Sequence, residues 1–460
     1  MRDPGDRPNI ILINCDDLGW GDLSCYGHPL HRTPRLDQLA AEGTRFTSFY
    51  QGSPLCSPSR GAMLTGCYPR RIGFDCFEGR YVLFPAQGVG LDPSERTFAT
   101  LLRDRGYATK LVGKWHCGDQ PAFLPTRHGF EHYFGLPYSN DMGRQGGRDK
   151  YPPLPLLRDD QVVEAQPDQT RLTARYTDEC IQFIRAHRSE PFLLYLAHMH
   201  VHLPLYVDPE LVPTSPNGRY GAAVAAIDRS TGQIIDELRR LGIERNTLVL
   251  FTSDNGSRCD YGPSNGPLRG TKGTIDEGGI RLPLIAWWPG RVPAGRVSDA
   301  LIAGMDLLPT FAALAGSAAP EDRIIDGVDV SRLLADPDQP SPRETFFYYG
   351  GSHLDAVRDG RWKLIVGRHR WGKGEDGLCE LYDLQNDIGE TTNVAKKHPD
   401  VVRELMKRLD QCREDLGDAA TGAEGANRRP IGRVDNPQPL TTFDPDCAYF
   451  QAMYDLDEAG

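Results

Sequence analysis

Asn9-Ile-Ile-Leu-Ile-Asn-Cys-Asp-Asp17 decides the architecture. Residues 9–14 are an apolar, β-branched run of strand length, and two carboxylates follow at 16 and 17. A strand apolar on both faces belongs inside a parallel sheet covered by helices. Working outward, TPRLDQLAAEG (33–43) reads as a helix, with Thr33 as N-cap, Pro34 at the first helical position and Gly43 at the end. Further apolar strands at 107–115, 191–197, 247–253 and 282–288, each preceded by a helical pattern such as 173–188, repeat the unit. The predicted fold is α/β, a mostly parallel sheet sandwiched by helices, with active residues on loops at the carboxyl ends of the strands.

The Pro/Asp/Ser stretch DPDQPSPRE (336–344) reads as a linker, so the first domain is set at 1–337. Residues 338–417 differ in kind: ETFFYYGG, AVRDGRWKLIVG with an Asp-Gly turn at 359–360, and CELYDL are strands in hairpin order, followed by one amphipathic helix at 398–415. This predicts a small antiparallel α+β domain. Residues 418–460 begin Gly/Ala-rich and read as an extended tail.

Composition removes several classes of function. The chain has 460 residues, a soft prior for two or three domains at about 150 residues each, so a small stapled scaffold is excluded. Its 52 basic and 63 acidic side chains leave a net charge of −11 and no Lys/Arg run, which disfavours nucleic acid. An anionic substrate therefore needs a local cluster of positive charge. No run reaches about 18 consecutive apolar residues, so no membrane span is expected. The polar start, MRDPGDRPN, lacks a secretory profile, which places the protein in the cytoplasm as written, or in the periplasm or outside the cell if an export segment has been trimmed. Eleven cysteines without a C-x-x-C pair read mostly as buried reduced thiols. The sequence carries no signal of oligomeric state.

The chemistry-bearing residues lie at strand ends. Asp16 and Asp17 follow the first strand, and Asp254 and Asn255 follow TLVLFTS (247–253) in the same way. Each pair alone is an ordinary loop starter. Two at equivalent ends offer four hard oxygens, a set suited to Ca²⁺ or Mg²⁺ rather than zinc. Between them lies SPLCSPSRGAMLTG (53–66). A thiol at Cys56, beside Arg60 at a helix start, would have a depressed pKa and could act as a nucleophile, although a lone cysteine is more often a buried structural thiol.

Cys56-x-Pro58-Ser59-Arg60 followed by Gly61-x-x-x-Thr65-Gly66 resembles the signature of the formylglycine-dependent sulfatases. Residues 9–22, Gly113-Lys-Trp-His116, His202-Leu-Pro204, Ser253-Asp-Asn-Gly256 and the run 270–279 stand in the order that family uses, and the hairpin with RDGRWKLI and ELYDL extends the similarity to about residue 415. GLPYSND (135–141) and the run 264–290 look most like the arylsulfatase A and N-acetylgalactosamine-6-sulfatase branch. The resemblance implies an alkaline-phosphatase-like core, with 1–337 as the catalytic domain.

It also implies roles residue by residue. Cys56 becomes Cα-formylglycine through a maturation enzyme. Asp16, Asp17, Asp254 and Asn255 hold one divalent cation, usually Ca²⁺, with an oxygen of the modified Cys56 or of the sulfate completing the shell. Arg60, Lys114 and Lys272 supply positive charge to the sulfuryl group, by the logic of phosphoryl clamps. Lys272 alone would read as a solvated lysine, but Gly270 and Gly273 beside it allow close backbone approach to a ligand. His116 contacts the formylglycine diol and takes a proton from its second hydroxyl. His202, in its His-x-Pro setting, shares protonation of the leaving group with Lys272.

Ser139, in Pro-Tyr-Ser-Asn-Asp, aligns with a sulfate-contacting serine, against the plain reading of a turn serine. His198 and His200 share a strand face with His202 by period two and read as supporting residues. The substrate implied is a sulfated sugar or glycan, or a small aryl sulfate, with loops such as 74–95 and 143–170 setting specificity. The competing readings are a phosphate or phosphonate monoester hydrolase on the same core and a catalytically silent binding homologue.

Overall fold

The computed structural model describes residues 7–145, 149–258, 264–450 and 454–456. Its main sheet is built from β1 (Asn9–Cys15), β2 (Thr44–Tyr50), β3 (Ala108–Gly113), β4 (His132–Gly135), β5 (Pro155–Arg158), β6 (Gln161–Ala165), β7 (Phe192–Ala197), β8 (Thr247–Ser253) and β9 (Arg281–Trp287). Their order across the sheet is β2-β9-β8-β1-β7-β3-β4-β5-β6, and the short strand Arg296–Ser298 lies outside β2. The five central strands β8, β1, β7, β3 and β4 are mutually parallel. Every residue of β1, β7 and β8 is buried, as apolar runs covered on both faces require.

The flanks differ from expectation. The 282–288 run was placed in the parallel set, but β9 runs antiparallel to both β8 and β2. Apolarity reports burial on two faces, and a strand next to the sheet edge is buried whichever way it points. β2 lacks an apolar run in sequence, because four of the seven residues of TRFTSFY are polar, although five of the seven are buried.

Helices cover the two faces of the sheet. One core joins Ile10 and Leu12 of β1 to Leu193 and Tyr195 of β7, Phe98 and Phe311; the other joins Ile11 and Ile13 to Leu194, Phe183 and Ile227. Alternate residues of a single strand thus serve opposite cores. The predicted helices appear as α1 (Pro34–Glu42), α2 (Cys56–Thr65) and α3 (Leu172–Ala186), joined by α4 (Gly218–Leu241). The Thr33 hydroxyl does not cap α1; it donates to the Asp37 carboxylate at 3.0 Å.

The C-terminal part is a four-stranded antiparallel meander, β10 (Thr345–Gly350), β11 (His353–Asp359), β12 (Trp362–Arg370) and β13 (Lys373–Asp383), with α5 (Pro399–Leu416) packed on it. Leu405 and Leu409 of α5 share a core with Leu364 and Leu381, and this core also takes in Tyr50, Ile280 and Met305 of the main body. The tail then runs back over the main body, pairing Gly432–Arg433 with Val89–Gly90. Cys259 lies outside the described residues; among the ten described cysteines none is in a disulfide, and six are buried. No helix among the described residues is long and apolar enough to cross a membrane.

Candidate active site

The four central strands β3, β7, β1 and β8 end at one edge, and the residues that follow them converge there. The chain after β7 continues beside the chain after β1: His198 N donates to Asn14 O at 2.9 Å, Asp16 N to His200 O at 2.9 Å and Val201 N to Asp16 O at 2.6 Å. Both backbone groups of Asp16 are thus held by the single segment 200–201. Asp254 N donates to Cys15 O at 3.1 Å, and Asp17 N reaches the Asp254 carboxylate at 3.2 Å. From β3, Lys114 N donates to Ala197 O at 2.8 Å. Gly113 before it has φ +108°, and a Cβ there would collide with that same carbonyl, so only glycine permits this exit.

Cys56 is the first residue of α2, a helix buried along its whole length. A carboxylate oxygen of Asp16, one of Asp254 and the Cys56 sulfur all lie within 4.8 Å of one another. The expected acidic thiol is not found. Burial pushes the Cys56 thiol up to about 11 against the opposing pull of Lys114 and Lys272. Arg60 points elsewhere: its Nε and Nη2 donate to Asp254 Oδ2 at 2.9 and 2.7 Å, and Nη1 to Lys114 O at 2.9 Å. An unmodified thiol here stays protonated and is a poor nucleophile.

Each cation hydrogen-bonds a different carboxylate, and Arg60 Nη2 also lies 3.7 Å from Asp16 Oδ1. Lys114 Nζ donates to Asp16 Oδ2 at 2.6 Å and Lys272 Nζ to Asp17 Oδ2 at 2.9 Å, while Arg60 holds Asp254. The Lys272 loop reaches the site through two backbone bonds of 3.0 Å, Lys272 N to Ser257 O and Gly273 N to Pro54 O, with Gly273 at φ +83°. Burial works to raise Asp17, but Lys272, His202 and the Asn255 amide outweigh it and hold the carboxyl below its usual range. Asp254 moves the other way, raised by burial and by Asp16 beside it.

The three histidines do not share a strand face. β7 ends at Ala197, and residues 198–202 form an irregular turn in which all three rings are buried. His202 Nδ1 lies 2.6 Å from Leu203 O and 3.1 Å from Asn140 Oδ1. That bonding leaves its Nε2 with the lone pair, and burial followed by Lys272 lowers its pKa to about 4. His116, at φ +59°, has Nε2 2.9 Å from the Leu83 carbonyl, while its buried Nδ1 has no partner. Ser139 is buried, but its neighbour Asn140 is the residue that reaches His202, and Asn140 also donates to Pro204 O at 3.1 Å. Local sequence does not mark Asn140. Its only signal there is adjacency to Ser139 in the same motif.

A hard divalent cation fits these residues. Asp16 Oδ1 and Asn255 Oδ1 are buried oxygens with no hydrogen-bond partner, next to the carboxylates of Asp17 and Asp254. Buried unsatisfied acceptors are costly unless something electropositive faces them.

Comparison with known proteins decides what this arrangement serves. The Sulfatase family profile matches residues 8–317. The chain belongs to the sulfatase family. A second profile, that of the N-sulphoglucosamine sulphohydrolase C-terminal region, matches residues 271–415. This sulfatase is 42% identical to the N-acetylgalactosamine-6-sulfatase of Canis lupus familiaris over 85% of its own length and 78% of that protein's. It is 40% identical to human arylsulfatase A, covering 90% and 89%. The crystal structure of Ps i-CgsB in complex with k-i-k-neocarrahexaose superimposes with a TM-score of 0.79 at 28% identity, covering 93% of this chain and 96% of that one. The protein is therefore a hydrolase acting on sulfuric ester bonds, on a mixed, mostly parallel sheet carrying a small antiparallel C-terminal sheet.

Proposed function

We propose that this sulfatase releases sulfate from a sulfated sugar of an acidic glycan, with Cys56 as Cα-formylglycine and Ca²⁺ held by Asp16, Asp17, Asp254 and Asn255. The observation that carries the reading is the meeting of the Cys56 sulfur with Asp16 and Asp254 inside a ring of three cations. The sugar substrate is supported by the 42% identity to an N-acetylgalactosamine-6-sulfatase and by the oligosaccharide bound to the structural relative. Ca²⁺ is favoured over Mg²⁺ because all four donors come from the protein in a buried cage, whereas Mg²⁺ keeps several waters. When bound, the cation draws electron density from the sulfate oxygens, and the formylglycine hydrate supplies paired hydroxyls at position 56.

The remaining work falls to this chain's own side chains. Arg60 fixes the Asp254 carboxylate through two N–H groups and thereby positions a ligand rather than the substrate. Lys114 and Lys272 carry positive charge beside position 56, where negative charge on the sulfuryl oxygens is stabilised without reorganisation. His116 holds its proton on Nε2 against the Leu83 carbonyl, so Nδ1 is free to accept one from the residue-56 hydrate. Asn140 and the Leu203 carbonyl set the His202 ring with its lone pair on Nε2, so His202 assists the departing oxygen only after Nε2 has taken up a proton, and Lys272 is the second donor. Ser139 is assigned to the sulfate-binding wall.

Cys56 is 2% exposed, so the maturation enzyme must act on the chain before it folds. Mass spectrometry of the peptide around Cys56, from cells with and without such an enzyme, tests the reading. Aldehyde or hydrate should accompany sulfate release. Fully active protein carrying only the thiol would refute it.

A further inference from the structure

One groove outside the reacting centre carries uncompensated positive charge. It has a volume of about 590 Å³, within the range of small-molecule sites, and is lined by Arg80, Phe84, Lys150 and Tyr151, with Thr441 and Phe443 of the tail closing its far side. No carboxylate is among its lining residues, in a chain of net charge −11. Neither Arg80 nor Lys150 has an acidic partner among the described residues. Both rest instead on aromatic faces, the Arg80 guanidinium 4.4 Å from the Phe84 ring centre and the Lys150 ammonium 4.8 Å from that of Tyr151. Ring contacts hold these cations in place without neutralising them.

The groove adjoins the candidate site through one residue. Leu83 N donates to Ser57 Oγ at 3.0 Å and Leu83 O meets His116 Nε2 at 2.9 Å; Phe84, the next residue, is already in the groove wall. The tail wall is anchored as well. Gln438 N donates to Gln120 Oε1 at 2.9 Å, Gln120 Nε2 returns a bond of 3.0 Å to Gln438 O, and Thr441 Oγ1 bonds the Pro153 carbonyl. Phe84 and Tyr151 lie nearly parallel, 21° apart with centroids separated by 6.3 Å, so the two cations they carry are presented side by side in one wall of the groove.

We propose that this groove binds an anionic sugar unit, uronate or sulfated, adjacent to the unit whose sulfate is hydrolysed, with Arg80 and Lys150 recognising its negative charge. The proposal rests on the sulfated-glycan reading above and adds that the enzyme prefers a chain to a single sugar.

The test is steady-state kinetics of the matured full-length enzyme on three substrates: 4-nitrocatechol sulfate, N-acetylgalactosamine 6-sulfate, and a tetrasaccharide ending in that same sulfated unit followed by alternating uronates. The tetrasaccharide should exceed the monosaccharide in kcat/KM by roughly tenfold or more, chiefly through KM, and the advantage should shrink as salt screens the charges. In the double variant Arg80→Glu/Lys150→Glu the advantage should fall to about twofold or less. Equal kcat/KM for the two sugars, or an advantage that survives the double charge reversal, overturns the groove and leaves the sugar reading standing. Hydrolysis of the aryl sulfate with neither sugar turned over overturns both.

Discussion

Two of the buried clusters of charge in this molecule are built to opposite rules. At the seam between the main sheet and the C-terminal meander, Glu277 has both oxygens occupied: Oε1 by Tyr348 Oη and Lys363 Nζ, each at 3.0 Å, and Oε2 by Tyr50 Oη and by Arg281 Nη1 at 3.5 Å. Lys363 adds the Glu390 carboxylate at 2.9 Å and the Ile275 carbonyl at 2.8 Å. At the strand ends, by contrast, three carboxylates and three cations are matched in number, yet Asp16 Oδ1, with the Arg60 guanidinium 3.7 Å away, and Asn255 Oδ1 accept no hydrogen bond. A cluster whose oxygens are filled by protein ties two parts of a fold together. One that keeps oxygens open is preorganised for something it does not itself contain. Glu277 and Lys272 are five residues apart in one motif, so proximity in sequence says nothing about which rule a residue obeys.

Mutation separates the two clusters. The largest effect is expected at the open one: Cys56→Ala and Asp254→Ala should each lower sulfate release by roughly a thousandfold or more, equivalent to about 4 kcal/mol of transition-state stabilisation. Asp254→Ala and Asp17→Ala should also reduce bound cation in elemental analysis. Chelation should abolish turnover until Ca²⁺ is restored; stoichiometric zinc in active enzyme would break the oxygen-donor assignment. Removing Asp254 relieves crowding with Asp16 but takes both carboxylate hydrogen bonds from the buried Arg60 guanidinium, so its melting temperature should fall as well.

The next effect belongs to the seam. Lys363→Ala leaves Glu277 and Glu390 buried without their shared cation, which should destabilise the fold by about 3–5 kcal/mol, read from denaturant unfolding. Turnover per folded molecule should stay close to that of the parent enzyme. A parallel loss of activity well below the melting temperature would show that the seam and the 270–279 loop act as one unit, and the distinction between the clusters would fail.

The smallest effect resolves roles inside the open cluster. His202→Ala should lower kcat/KM for a sugar sulfate about tenfold more than for an activated aryl sulfate, roughly 1.4 kcal/mol, because a good leaving group needs little proton assistance. His198→Ala and His200→Ala should show no such dependence on the leaving group. Equal losses on both substrates for His202→Ala would move His202 to sulfate binding and leave Lys272 as the acid.

Much of this was legible in the chain. The 9–14 and 247–253 runs read as buried strands of one parallel sheet, and the carboxylates directly after them as oxygen donors at its carboxyl edge; the structure makes these two strands neighbours, so the two pairs meet. Local pattern failed where burial does not depend on direction or regular geometry. The apolarity of β9 is the same whichever way it runs, so it cannot report that the strand is antiparallel, and the period of two at 198–202 suggests a strand although the strand stops at Ala197. The Cys56 thiol was expected to be acidic from a neighbour in sequence, Arg60, whose guanidinium in fact turns to Asp254, 194 residues further on.

Sequence alone determined which oxygen donors and cationic side chains are present, and the strands that deliver them, because hydrophobic period and strand-end chemistry are local properties. Tertiary structure decided the rest: which oxygens are left open, which cation faces which carboxylate, that Asn140 orients His202, and that the tail returns to wall a basic groove beside the site. Those facts depend on desolvation and on contacts between residues far apart in the chain. Neither exists until the fold has closed around them.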